Sequence, residues 1–181
     1  DNAGTLHVAW IEQRYANLSP ESAIRHWNST RNTSRYAAMG YWEGTGQPGL
    51  FNLNLAKLTM GIGDGSTMCQ GGMQSNLNYV YITYTQFGGR TPAEQEDYSV
   101  SGYSNGELYL AISNTGGDSW SHAYNLSNTK TPNCNPGPAD PFTGEPERPE
   151  SVCRSEHWAT MAMIVSDLDI AFISDRDAGA S

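Results

Sequence analysis

The stretch Ser113-Asn114-Thr115-Gly116-Gly117-Asp118-Ser119-Trp120 follows directly on the apolar run LYLAIS that begins at Leu108. Adjacent glycines supply the positive φ that a tight reversal needs, the hydroxyls of Ser113 and Ser119 are placed to bond turn amides, and the indole of Trp120 can fold back into an apolar layer. The stretch reads as the bend of a β-ribbon running from Leu108 to Leu126-Ser127.

Working outward, short apolar runs of the same kind recur: LHVAWI from Leu6, YVYITY from Tyr79 and LDIAFI from Leu168. Each reads as a buried or half-buried strand. WATMAMIV from Trp158 precedes Ser166-Asp167, which reads as the tip of a hairpin pairing 158–165 with 168–173 antiparallel. Leu50 to Leu55 offers one more strand, and the polar stretch from Phe87 to Gly106 reads as an excursion at a sheet rim. The single helical candidate is SPESAIRHW, with Ser19 as N-cap and Pro20 in the first turn. With 19 Gly and 9 Pro punctuating these runs, the chain reads as all-β, one module over residues 1–181.

The formal charge of -9 and pI near 4.7 repel phosphate backbones and anionic headgroups, so nucleic acid and membrane surfaces are excluded as favoured partners. No apolar run is long enough for a membrane span. Asp1 opens straight into strand-like sequence, and the expectation is that any secretory leader has been removed. Cysteines stand at 69, 134 and 153 with no C-x-x-C pair. Cys134 and Cys153 bracket a Pro-rich segment, within 131–156, that has almost nothing apolar to hold it. A disulfide there would contribute about 3 kcal/mol and points to an extracellular, periplasmic or cell-surface location. N-x-S/T sequons at Asn17, Asn28, Asn32 and Asn125 permit glycosylation there.

The 113–120 stretch resembles an Asp-box (BNR repeat), the S-x-D-x-G-x-T-W turn of the sialidase-like β-propeller superfamily, which joins the third and fourth strands of a blade. Ser113, Gly117, Ser119 and Trp120 match, the serine at 119 conservatively. Thr115 stands where the family places the carboxylate that caps the turn amides. FISDRDAG from Phe172 resembles the beginning of a second copy without the closing glycine and tryptophan. The resemblance implies antiparallel sheets like propeller blades. It also implies an incomplete set, or one completed by another chain or segment, because the visible strands are too few to close a propeller.

An Asp-box is a structural turn, so it speaks to fold before function. The arginine of the family's R-I-P motif has no counterpart; the nearest string, Glu147-Arg148-Pro149-Glu150, lies in the Pro-rich loop. Asp64, Glu94, Glu96, Asp97, Asp167 and Asp169 are available as glycosidase carboxylates, though nothing in the sequence pairs them. Calcium is a candidate at Glu94, Glu96 and Asp97 or at Asp175 and Asp177. The dipeptide His-Trp occurs in Arg25-His26-Trp27 and in Glu156-His157-Trp158. Arg25, His26, Trp27, His157 and Trp158 are therefore ligand-binding candidates, and His26 with His157 could hold a transition metal if the halves face each other. The alternative is that both tryptophans fill cores beside satisfied histidines. Cys69 sits in GDGSTMCQGG without a catalytic signature, and no G-x-S-x-G elbow occurs. The sequence thus favours a secreted or surface binding and assembly module for a glycan or protein. A glycan-active hydrolase with catalytic residues partly outside the chain, and a metal-binding surface protein, are the alternatives.

Overall fold

The computed structural model describes residues 4–16, 19–40, 55–65, 67–69, 72–74, 77–87, 97, 105–132, 134, 141–142 and 153–175. Among these residues every regular element is a strand. The first sheet joins β1 (His7–Ala16), β2 (Ser19–Asn28) and β3 (Arg35–Gly40) in that order, antiparallel throughout. The largest sheet is built on β4 (Leu55–Gly63), β7 (Val80–Phe87), β8 (Gly106–Ser113) and β9 (Tyr124–Asn125), and the short β11 (Ile164–Val165) adds to β4 in parallel. β5 (Thr67–Cys69) pairs with β6 (Gly72–Gln74), and β10 (Ser155–Met161) with β12 (Ile170–Asp175). The chain is thus all-β with antiparallel and mixed sheets. Among the described residues they close into neither a barrel nor a propeller.

Strand periodicity explains the layers. On β7, Ile82 and Tyr84 face one way and Tyr81 the other, and the register Ile82↔Ala111 and Tyr84↔Tyr109 puts their partners on the same faces. Ile24, Ala37, Ile82, Tyr84, Tyr109 and Ala111 therefore form one core layer between the first sheet and the largest. Tyr81, Leu110 and Val165 form a second layer on the opposite face. β7 is covered on both sides, which is why YVYITY is apolar or aromatic at nearly every position. Each aliphatic side chain buried as fully as Ile24 or Ile82 contributes about 1.5–3 kcal/mol.

Two expectations are corrected. Ser19–Asn28 is strand β2, with the antiparallel register against β1 running from His7↔Asn28 to Ala16↔Ser19. A helix of two turns would gain only a few internal bonds, whereas the strand gains ladders on both edges and buries Ile24. The C-terminal pairing is antiparallel as expected, but its strands end at Met161 and restart at Ile170. Residues 164 and 165 leave that hairpin for β4, because Val165 is buried in the second core layer and Gly61 leaves room for its side chain.

The Cys134–Cys153 disulfide is present, closing a sequence separation of 19, and is compatible with an extracellular location. Of the candidate strand Leu50 to Leu55 only Leu55 is described, as the start of β4. Glu94, Glu96, Arg148 and Asp177 lie outside the described residues.

Candidate functional site

The bend after β8 is built by local chemistry. Gly116 and Gly117 take φ of 64° and 93°. Ser113 Oγ accepts from the Gly117 amide at 2.8 Å and the Thr115 amide at 3.2 Å. Thr115 Oγ1 accepts from the Ser119 amide at 2.9 Å, so a hydroxyl caps the turn. Trp120 Nε1 donates to the Gly117 carbonyl at 3.2 Å, and its ring packs on the first core layer. The first sheet grips the same bend: Asn28 Nδ2 donates to Gly116 O at 2.8 Å, and Arg31 donates to Thr115 O at 3.0 Å while pairing with Asp118.

Because Trp120 is held there, residues 120–123 run beside β3 and leave an open cleft between the sheets. Tyr36, Ala37, Ala38 and Met39 form one wall, Trp120 to Ala123 the other, and Tyr84 lies between; its volume is about 210 Å³. Arg25 stacks over the Tyr36 ring at 4.3 Å and pairs with Glu12 at 3.1 Å, which fixes the first wall. Ser121 is committed to the Ile112 amide, so His122 is the exposed polar group of the second wall.

Beneath the bend lies His26, buried, with its ring against Gly117 and the edge of Trp120, and with Nε2 bonded to His7 Nδ1 at 3.1 Å. Burial, then the charges of His7 and Arg31, lower its pKa from 6.5 to about 4, against a hydrogen bond to the Gly117 backbone. It is a neutral structural histidine near neutral pH. His157 is placed differently: Nε2 meets Ser155 Oγ at 2.9 Å and its ring meets Phe87 at 5.4 Å. Ser155 Oγ also takes the Gly106 amide. Gly106 and Ser113 are the two ends of β8, which spans about 23 Å at strand rise. His26 and His157 thus stand at opposite ends of that strand and share no ion. Among the described residues no group of His, Cys, Asp and Glu is arranged to hold a metal.

Trp27 is half-buried on β2 opposite Val8. Trp158 does not fill a core; it is 56% exposed. It sits at a bulge of β10 with φ 54°, facing a matching bulge of β4 where Lys57 has φ 55°. Lys57 Nζ lies 4.3 Å from the Trp158 ring and 5.8 Å from Phe87. Thr59 Oγ1 donates to Ala159 O at 2.6 Å and ties the bulges together.

The carboxylates expected from sequence are scattered. Asp64 follows β4 with its amide on Val165 O, Asp167 and Asp169 are exposed, and Asp175 ends β12. Asp97 is buried, and its Oδ1 accepts from Asn105 Nδ2 at 2.8 Å and the Thr131 amide at 3.0 Å. The perturbed carboxyls are two that sequence reading passes over, Glu107 and Glu156. Burial raises the pKa of each above the ordinary value. Only Glu107 has a signal in the sequence, that of parity: it shares the face of Tyr109 and Ala111. Tyr36, Tyr84 and His122 of the cleft carry no such mark. Comparison with protein-family models, curated proteins and solved structures gives no match.

Proposed function

We propose that the chain is an extracellular or cell-surface binding and assembly module, made of ribbons like those of Asp-box propellers, which takes a glycan in the cleft between β3 and residues 120–123. The observation that carries this reading is the cleft, whose aromatic rings Tyr36 and Trp120 stand beside small alanines over the buried Tyr84. Aromatic faces stack on the C–H faces of sugar rings, and the imidazole of His122 offers a polar contact at the mouth. The test is saturation-transfer NMR with a panel of methyl glycosides, followed by titration of any binder. Tyr36→Ala should weaken binding roughly tenfold or more with the circular dichroism unchanged. A panel without a binder, or a binder indifferent to Tyr36→Ala and His122→Ala, overturns the reading.

Assembly has its own supporting observation. On β12 Phe172 and Ile173 point to opposite faces, yet they are 50% and 57% exposed. Among the described residues β12 pairs with β10 alone. A strand apolar on both faces calls for cover by further polypeptide, and a neighbouring ribbon of the same architecture supplies it. Sedimentation velocity should show concentration-dependent self-association that Ile173→Lys abolishes; a strictly monomeric wild type refutes the assembly part alone.

Hydrolysis is not favoured by the Glu107 and Glu156 side chains, since both residues are closed to solvent.

A further inference from the structure

We propose that Glu107 and Glu156 form a proton-operated clasp, holding the strap of residues 125–131 onto β8 and β10 when protonated and loosening it when ionised. The strap is the chain that leaves β9 and leads to Cys134. Bonds without an acid hold it in part, from the Leu126 amide to Leu108 O at 2.8 Å, from the Leu108 amide to Ser127 Oγ at 3.0 Å and from the Arg154 amide to Thr131 Oγ1 at 2.9 Å; its other attachments run through buried acid groups. Glu107 Oε2 accepts from Asn125 Nδ2, which also reaches Tyr109 Oη at 3.3 Å. Glu156 Oε2 accepts from Thr129 Oγ1 at 2.6 Å. Further on, the Thr131 amide bonds Asp97.

The surroundings favour neutral carboxyls. Glu107 and Glu156 are 4% and 2% exposed. Among the described residues Glu107 Oε1 has no hydrogen-bond partner, and neither has Nε2 of Gln86, directly across the ladder. Ionisation would thus spread charge over both carboxylate oxygens, of which Oε2 meets Asn125 and Oε1 meets no donor among the described residues. The charged groups acting on Glu107 are Asp97 from the preceding segment and Lys130 from the strap, and those acting on Glu156 are Glu107 itself and Arg154 from the approach to β10. Lys130 and Arg154 are exposed, so solvent screens their help, while the two buried carboxyls repel each other with little screening. Asn125, Thr129 and Ser127 donate to the pair and work the other way; burial outweighs them.

The sign follows from proton counting. Both groups bind a proton more tightly in the folded state than at the ordinary value of 4.5. Their contribution is complete below that value and is lost as pH rises through the folded-state values. The disulfide tethers the far end of the strap beside β10, so loosening frees a loop without detaching it.

Hydrogen exchange followed by mass spectrometry tests the clasp directly. After correction for intrinsic rates, amides of 126–131 should lose roughly tenfold protection between about pH 5 and about pH 7.5, while β7 amides stay protected. The Glu107→Gln/Glu156→Gln variant keeps the acceptors and removes the titration, so its strap should exchange at a pH-independent rate. The Glu156→Gln single variant should show an intermediate loss and serves if the double variant fails to fold. Flat protection in the wild type, a slope that survives substitution, or equal loss in β7 overturns the clasp.

Discussion

Replacing Gly117 by alanine tests the joint on which both sheets meet. A Cβ at Gly117 would fall inside the ring of His26, whereas one at Gly116 meets nothing within 4 Å. Both glycines have positive φ, 93° and 64°, so backbone strain contributes about 1–2 kcal/mol at either position. At Gly116 nothing is added. At Gly117 the buried imidazole must move, which disturbs its bond to His7 and its contact with Trp120. Each such interaction is worth about 1 kcal/mol, and the displaced ring strains a packed layer by about 1–3 kcal/mol more. Gly117→Ala should therefore destabilise the protein by roughly 4–7 kcal/mol and Gly116→Ala by only about 1–2 kcal/mol. Urea unfolding followed by tryptophan fluorescence gives both values on one scale. Equal losses would refute the packing of the bend on His26, and with it the wall of the cleft that Trp120 forms.

Other perturbations have definite signs. Thr115→Asp places a carboxylate where a hydroxyl now accepts the Ser119 amide; a charge-assisted bond should raise the unfolding free energy by about 0.5–1 kcal/mol, read as a higher urea midpoint, and a lower midpoint would count against kinship with Asp-box turns. The lowered pKa of His26, about 4 against 6.5, makes stability complete above the unfolded value and lost as pH falls towards 4. Solvent screening brings the full linkage value down to roughly 1–2 kcal/mol, and His26→Leu should remove that slope from pH-dependent unfolding. Reducing Cys134–Cys153 should lower global stability by about 3 kcal/mol, read as a fall in Tm, with strap amides exchanging first.

Local chemistry is what the sequence makes legible. The bend is readable because glycine, hydroxyl and indole stand at fixed offsets and bond to one another within 113–120. β7 and β8 are readable because both faces are covered and the runs stay apolar. β2 is not, because Ser19 and Pro20 carry the start signals of a helix and its ten residues are strand only in the presence of β1 and β3. The division of the run from Trp158 to Val165 is likewise invisible, since it depends on the space that Gly61 leaves on a distant strand. The cleft is harder still: Tyr36, Tyr84 and His122 lie on three separate segments that only the packing of two sheets brings together.

The buried carboxyls fall between these cases. Successive side chains of GELYLAIS point to opposite, covered faces, and parity puts Glu107 on the face of Tyr109 and Ala111, in the first core layer. Gln86 bears the same relation to Ile82 and Tyr84 on the neighbouring strand. An inward acid opposite an inward amide is a legible anomaly, because an apolar pair there would pack with no unmet hydrogen bonds. What parity cannot supply is the second acid, which arrives on β10 beyond the disulfide loop, or the strap that both acids hold. The charge state of the pair is therefore decided by tertiary structure, whereas the inward placement of its first member is decided by eight residues of strand.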